Sequence, residues 1–161
     1  MLGKPLLAAA RDQAADSGGA QEEAAVKSLH TGKTRETTLQ GAKLSPADVL
    51  ILARVIEGEA GGEPFKGKVA VGAVIINRVE DERFPDSIYK VTHQPGAFYA
   101  VRKGTIRHPI SEDALRAAKE AIKGVDPTGG ALYFWNPAKA TSSWIHNRHV
   151  ITRIGNHVFA I

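Results

Sequence analysis

Apolar residues first recur at three- and four-residue spacing shortly after residue 44, which predicts an amphipathic helix. Ser45 and Pro46 stand just before this stripe and are typical of an N-cap and a first helical position. Gly61 and Gly62 follow the stripe and predict the end of the helix. The stripe consists of Val49, Leu52, Ala53 and Ile56.

Two further helices are predicted downstream. The segment from Pro64 to about Val79 is apolar almost all round, which is typical of a central, buried helix. The segment from Ser111 to about Lys123 has acidic residues in its first turn and a glycine after its end.

The hydrophobic pattern changes to that of strands after a turn-forming segment at 126–130. One strand is predicted from Ala131, and two more, at 150–154 and 157–159, flank the hairpin turn signal of Gly155 and Asn156. Helices followed by a small antiparallel sheet near the C-terminus indicate the α+β class.

Residues 1–43 contain almost no large apolar side chains after Arg11, so we expect a flexible N-terminal tail, with a frayed helix around 21–29. We expect residues 44–161 to form one folded domain. The apolar run near the N-terminus is shorter than that of a secretory signal, and no stretch is long enough to span a bilayer. We therefore predict neither a signal peptide nor a membrane span.

The charge balance and the absence of cysteine limit the function classes. The chain has 21 Lys and Arg against 17 Asp and Glu, and this excess of +4 is spread along the sequence. An anionic wall polymer is a compatible partner, whereas a nucleic-acid binder would need clustered basic residues. Without cysteine, disulfides, thiolate metal sites and a cysteine nucleophile are excluded.

Glu59 is the first candidate for chemistry, because it continues the apolar side of the first helix at its C-terminal end. Glu57 lies on the opposite side of that helix. Burial and the negative end of the helix dipole would both raise the pKa of Glu59, which suits a general acid. The alternative is a structural glutamate that holds the loop at Gly61 and Gly62, and spacing alone favours this alternative.

Glycoside hydrolysis normally uses two carboxylates, and no second acid is evident here. Glu63 follows Glu59 by four residues, but the glycines between them leave its direction open. Asp126 and Glu112 are better interpreted as turn and cap residues. This pattern favours a mechanism with one acid, in which a hydroxyl of the substrate is the nucleophile.

Aromatic residues and histidines supply weaker signals. Flat rings near Gln94 and Asn136 would suit sugar stacking in a cleft, although core packing is the favoured interpretation for each ring taken singly. These rings are Phe98, Tyr99, Tyr133, Trp135 and Trp144. Three histidines near the C-terminus, His146, His149 and His157, do not have the spacing of metal ligands. We expect no metal and no organic cofactor.

Four ordered motifs resemble the SleB/CwlJ family of cell-wall hydrolases, the cortex-lytic enzymes of bacterial spore germination. The motifs are ARVIEGEAGGEPFKGKVAV at 53–71, QPGAF at 94–98, DPTGGALY at 126–133 and VITRIGNHVF at 150–159. The resemblance implies a lysozyme-like fold, related to resuscitation-promoting factors and lytic transglycosylases. This chain differs from the family pattern in its glycine pair 61–62 and in showing no separate peptidoglycan-binding domain.

The same resemblance implies roles for individual residues. Glu59 would be the general acid and base, and Glu63 would help to shape the cleft. The residues that would line or support the cleft are Gln94, Phe98, Tyr133, Asn136, Thr152 and His157.

These roles predict a lytic transglycosylase that cuts between N-acetylmuramic acid and N-acetylglucosamine in peptidoglycan glycan strands. The alternatives are a muramidase or glucosaminidase, which would use water, and a non-catalytic wall-binding module. An amidase would need a metal site. We expect a monomer with an accessory or coat protein as a further partner, deposited at the spore coat from the mother cell.

Overall fold

The computed structural model describes residues 38–39, 42–104, 109–141, 145 and 147–161. Its helices are α1 (Pro46–Ala60), α2 (Phe65–Glu80), α3 (Ile88–Thr92), α4 (Tyr99–Lys103) and α5 (Glu112–Ile122). Its strands are β1 (Thr38–Leu39), β2 (Ala42–Lys43), β3 (Tyr133–Trp135), β4 (Val150–Ile154) and β5 (His157–Ala160). Within these described ranges, no helix is both long and apolar enough to cross a membrane.

Helix α1 begins where the sequence predicts, because Ser45 and Asp48 form a capping box. The Ser45 hydroxyl accepts a hydrogen bond from the Asp48 amide at 3.2 Å, and the Ser45 amide donates to the Asp48 carboxylate at 2.9 Å. Two of the amides that a helix start leaves without partners are thereby satisfied. The reciprocal bonds fix the entry to the helix that carries Glu59.

Helix α2 is the predicted central helix and packs against both α1 and α5. A glycine makes this packing close: a Cβ atom at Gly72 would lie 2.9 Å from the Cβ of Ala121 and 3.0 Å from Cδ1 of Ile56. The three helices therefore meet where only a hydrogen atom fits. Around this point lies one core cluster, which includes Leu52, Val55, Ile56, Val71, Val74, Ile75 and Phe159.

The C-terminal sheet is antiparallel with strand order β3-β5-β4, which confirms the predicted hairpin. The turn between β4 and β5 contains Gly155 at a φ of 59°, in the left-handed region that glycine tolerates best. β5 is buried along its whole length and places Phe159 in the core. A helical layer followed by this small sheet confirms the α+β class.

Two short helices, α3 and α4, were not predicted from the sequence, because five residues are too few to show a helical period. The predicted N-terminal tail lies mostly outside the described residues and stays a prediction. Only its end is described, where β1 and β2 pair in antiparallel fashion. Trp144 and His146, singled out in the sequence, also lie outside the described residues.

Candidate active site

Glu59 lies in the last turn of α1, half-buried beside the fully buried Val55 and Ile56. Its Oε1 atom accepts a hydrogen bond from the backbone amide of Ala100 at 2.6 Å. That amide belongs to the first turn of α4, 41 residues further along the chain. The short helix that the sequence did not reveal therefore positions the predicted acid.

Burial raises the pKa of Glu59 above its ordinary value of 4.5. The backbone amides of Ala100 and Tyr99 and the charge of Arg102 act in the opposite direction, but they do not cancel the effect of burial. No carboxylate among the described residues contributes to this shift. Glu59 therefore stands as a single acid whose raised pKa suits a proton donor.

Glu57 faces the other side of α1, as predicted, and binds a different element. Its carboxylate accepts a hydrogen bond from the Ser111 amide at 3.1 Å and a second, short one from the Ser111 hydroxyl. Ser111 is the N-cap of α5, so Glu57 attaches the start of that helix to the end of α1. Two glutamates in one turn thus have separate tasks.

Glu63 binds the turn of the C-terminal hairpin. Its two carboxylate oxygens accept hydrogen bonds from the Asn156 amide at 2.8 Å and from the Asn156 side chain at 3.0 Å. Desolvation acts to raise the pKa of Glu63, but these bonds outweigh it and the pKa is lowered overall. The pKa of Glu63 is thus shifted in the opposite direction to that of Glu59, and Glu63 is poorly suited to donate a proton.

His157 begins β5 beside this turn and is buried, with 6% of its surface exposed. The His157 and Phe134 rings pack in a T-shaped arrangement, with their centroids 5.3 Å apart. Among the described residues, the Nδ1 atom of His157 has no hydrogen-bond partner. Burial lowers its pKa, although the nearby charge of Glu63 acts to raise it. The histidine is thus favoured in the neutral form. Thr152 is half-buried on the neighbouring strand, opposite Phe159.

Phe98 and Tyr133 are joined by a buried cation that the sequence analysis missed. The guanidinium of Arg78 lies 5.3 Å from the Phe98 ring centroid and 5.5 Å from that of Tyr133. Phe98 is buried at 2% exposure and belongs to the core, whereas Tyr133 is half-buried, with the guanidinium of Arg148 at 3.9 Å from its ring. Phe98 is therefore a core residue that a sugar cannot reach, whereas Tyr133 retains an accessible part.

Gln94 and Asn136 form turns. The Gln94 carbonyl accepts a hydrogen bond from the Ala97 amide at 3.1 Å, just before α4. The side-chain oxygen of Asn136 accepts one from the Ala138 amide at 2.9 Å. Gln94 thus shapes the loop that leads to the amides bound by Glu59, and the Asn136 oxygen is used within its own loop.

Asp126 stabilises its own loop, as its predicted role as a turn residue requires. Its carboxylate accepts hydrogen bonds from Thr128, Gly130 and Asn77 at 2.6–3.0 Å. These bonds lower its pKa, although desolvation acts to raise it. Two surface depressions of about 230 and 560 Å³ lie nearby and share Asn77 and Glu80. None of the predicted site residues lines either depression.

The structure brings the predicted residues together in three groups: Glu59 with the first turn of α4, Glu63 with the hairpin turn and His157, and Phe98 with Tyr133 through Arg78. No hydrogen bond or ion pair among the described residues joins Glu59 to another carboxylate. Within the same ranges, no group of three or more His, Asp or Glu residues could hold a metal ion.

Comparison with known proteins gives matches that agree with one another on the family. The family model described as Cell Wall Hydrolase matches residues 62–160. The spore cortex-lytic enzyme of Halalkalibacterium halodurans is 48% identical over 118 residues, covering 73% of this chain and 36% of that protein. The cell wall hydrolase CwlJ of Oceanobacillus iheyensis is 31% identical over 124 residues, covering 73% of this chain and 88% of that protein.

A solved structure shows the same fold. It is the catalytic domain of the germination-specific lytic transglycosylase SleB from Bacillus anthracis, which is 46% identical to this chain with a TM-score of 0.70. The match covers 73% of this chain and 97% of that domain. The chain spans 36–44% of the length of the spore cortex-lytic enzymes that it matches.

Proposed function

Because the chain belongs to the cell wall hydrolase family, we propose that it cleaves peptidoglycan as a lytic transglycosylase, with Glu59 as its one general acid and base. The observation that carries this proposal is the half-buried Glu59 carboxyl, whose pKa is raised and on which no other carboxylate of the described ranges acts. A single acid of this kind suits a reaction in which the substrate supplies its own nucleophile.

The reaction begins with protonated Glu59, which donates its proton to the oxygen between C1 of N-acetylmuramic acid and N-acetylglucosamine. The C1–O bond breaks, and an oxocarbenium-like centre develops at C1. The ionised Glu59 then takes the proton of the muramoyl 6-hydroxyl while O6 attacks C1. The 1,6-anhydro ring closes, Glu59 is protonated again, and no water is consumed.

The environment of Glu59 fits both halves of this cycle. Burial favours the protonated form needed at the start, since an anion loses hydration there. The Ala100 amide can donate a hydrogen bond to the carboxylate formed after proton transfer. The environment therefore favours the proton donor through burial and also supplies a hydrogen bond to the carboxylate that must later accept a proton.

Relatives support spore cortex as the substrate, since several proteins at 46–48% identity to this chain are named spore cortex-lytic enzymes. We propose that this chain acts on cortex or cell wall peptidoglycan as a monomer. An accessory or coat protein and deposition at the coat stay predictions.

The decisive experiment is mass spectrometry of fragments released from spore cortex and from vegetative wall by the full chain and by Glu59→Gln. Anhydro-muramoyl products that disappear with Glu59→Gln support the transglycosylase, with an expected loss of roughly 10²–10⁴-fold in rate. Glu112→Gln, an exposed carboxylate in the first turn of α5, is the matched control and should retain full activity.

Each other outcome has a definite meaning. Products with a reducing end, heavier by one water, would show that the enzyme is a muramidase or glucosaminidase and not a transglycosylase. Equal release by the wild type and Glu59→Gln would remove Glu59 from the chemistry. Binding without release from either polymer would favour a wall-binding module.

A further inference from the structure

Arg78 is a buried cation surrounded by aromatic rings. It lies in α2 with 8% of its surface exposed. Its guanidinium lies 5.2 Å from the ring centroid of Phe84, 5.3 Å from that of Phe98 and 5.5 Å from that of Tyr133. Among the described residues no carboxylate pairs with it, and its Nε donates instead to the Leu132 carbonyl at 2.7 Å.

This arrangement costs free energy that an apolar side chain would avoid. Burial lowers the pKa of Arg78, because the guanidinium loses hydration that no carboxylate replaces. A methionine of similar length would fill the space between the rings without that cost. Arginine adds direction, since its planar group is fixed by the hydrogen bond from Nε to Leu132. What arginine contributes at this position is therefore the placement of its neighbours.

One of these neighbours, Phe98, begins the helix that binds the Glu59 carboxylate. Phe98 is the N-cap of α4, and no side-chain hydrogen bond caps this helix. A helix of one turn has little stability of its own, so its position depends on packing. The Phe98 ring supplies such packing, because it is buried beside the Arg78 guanidinium and 6.2 Å from the Phe134 ring centroid. The start of α4 therefore follows the position of this ring.

The first turn of α4 carries the amides that act on Glu59. The Ala100 amide donates to Glu59 at 2.6 Å, and the Tyr99 amide also acts to lower the pKa of Glu59. Arg102 is the charge that acts on this carboxyl, and Arg78 is not among the groups that shift its pKa. An effect of Arg78 on Glu59 must therefore pass through the start of α4.

We propose that Arg78 is a positioning residue for the reaction: through the Phe98 ring it fixes the first turn of α4 and holds the Ala100 amide at hydrogen-bonding distance from Glu59. This proposal rests on the proposed function and deepens it, because that amide stabilises the carboxylate that forms when Glu59 gives up its proton. A displaced amide leaves this carboxylate without its donor. Arg78 thus affects the rate of turnover and not the binding of the glycan strand.

The test is the pKa of Glu59, measured by NMR titration of the full chain with isotope-labelled glutamate carboxyl carbons. The Glu59 signal is the one that is absent from Glu59→Gln. Arg78→Met should raise the pKa of Glu59 above its wild-type value, because the amides that lower it are displaced. Phe98→Leu should raise it as well, although the cation is retained. The double variant should show no larger shift than the larger of the two single variants, since both changes break the same contact.

Phe84→Leu is the matched control. It removes another ring that contacts the same guanidinium but does not belong to α4, so it should leave the pKa of Glu59 unchanged. Arg78→Lys keeps the charge but loses the planar group and the Nε donor, so it should raise the pKa of Glu59. If circular dichroism shows that Arg78→Met does not fold, Arg78→Lys and the comparison of Phe98→Leu with Phe84→Leu decide the question.

Rates of fragment release provide a second readout. Arg78→Met should lower kcat by roughly 10–100-fold, because small displacements of groups around a reacting centre have effects of this size. KM should stay within about twofold of the wild-type value, since no contact with the glycan strand is removed. The alkaline limb of the pH–rate profile should move to higher pH together with the pKa of Glu59.

An unchanged pKa of Glu59 in every folded Arg78 variant would overturn the proposal. A rise in Arg78→Met without a rise in Phe98→Leu would also overturn it, because only the loss of charge would then matter. A raised KM with an unchanged pKa of Glu59 would make Arg78 a substrate contact instead. The titration is made without substrate, so it gives its answer even if the wild type releases no fragments and the proposed function fails.

Discussion

The carboxylate of Glu63 holds Asn156 by two hydrogen bonds, although 93 residues separate them in the chain. Glu63 lies between α1 and α2, and Asn156 lies in the turn between β4 and β5. This contact therefore attaches the β4–β5 hairpin to the helical layer. Thr152 and His157 lie on that hairpin.

Glu63→Gln should lower the free energy of unfolding by about 1 kcal/mol at neutral pH, because an amide provides only one acceptor oxygen for two donors. The pKa of Glu63 is lowered in the folded protein, so its contribution is present above pH 4.5 and disappears as the pH falls through the folded pKa. Urea unfolding of wild type and variant at several pH values measures both effects. A difference that stays constant down to strongly acidic pH would contradict this account.

The glycines at 62 and 155 should respond oppositely to alanine. A Cβ atom at Gly155 would lie 2.1 Å from Oε2 of Glu63, and its φ of 59° is unfavourable for alanine. At Gly62 no atom lies within 4 Å of the added Cβ. Gly155→Ala should therefore destabilise the protein by about 1–2 kcal/mol, and Gly62→Ala should stabilise it by roughly 0.4–1 kcal/mol.

Thermal unfolding of the two variants beside the wild type makes this comparison directly. Equal transition temperatures for both variants would contradict the close approach of Gly155 to the Glu63 carboxylate. A lower transition temperature for Gly62→Ala would mean that the loop after α1 needs the freedom of glycine.

Glu59→Gln should raise stability near neutral pH while it removes activity. The raised pKa means that folding favours the protonated carboxyl, so wild type loses stability as the pH rises through the folded pKa of Glu59. A glutamine is not ionised and avoids this cost. The variant should therefore match wild type well below pH 4.5 and exceed it near neutrality in urea unfolding. The reverse trend would show that its amide partners, and not burial, dominate at Glu59.

Arg102→Gln should move the alkaline limb of the pH–rate profile to higher pH. The charge of Arg102 lowers the pKa of Glu59, so its removal raises that pKa further and keeps the general acid protonated over a wider range. Initial rates of fragment release measured across the pH range test this shift, and Lys123→Gln supplies the control for net charge. An unchanged limb would mean that another group controls the rate at high pH.

Sequence patterns predicted the elements with strong end signals and missed those without them. Ser45 caps α1 and Gly155 forms the hairpin turn, both as predicted from local chemistry. Helix α5 starts where predicted, but Ser111 and not Glu112 is its cap. Helix α4 has no capping side chain and spans one turn, so the amide that binds Glu59 could not be foreseen. The position of Glu59 on the buried side of α1 was predictable, whereas its hydrogen-bond partner was not.

Contacts between segments that are distant in sequence were the second feature that the sequence did not predict. Arg78 lies in a helix predicted to be buried, and an arginine there suggested no partner. In the structure its Nε donates to the Leu132 carbonyl at 2.7 Å, and its guanidinium lies near three aromatic rings. The Leu132 carbonyl and the rings of Phe98 and Tyr133 are far from Arg78 in sequence, so the tertiary fold is needed to explain how this charge is accommodated.

Glu57 and Glu59 together set the rotation of α1 about its own axis. Glu57 is attached to Ser111 on one side, so Glu59 is directed at the amide of Ala100 on the other. One residue inserted into a helix turns everything beyond it by about 100°. An insertion or deletion within α1 would therefore turn either the anchor or the acid away from its partner. Changes of length are better tolerated in the connecting loops, and α1 is a segment to keep intact when this domain is shortened, permuted or joined to another protein.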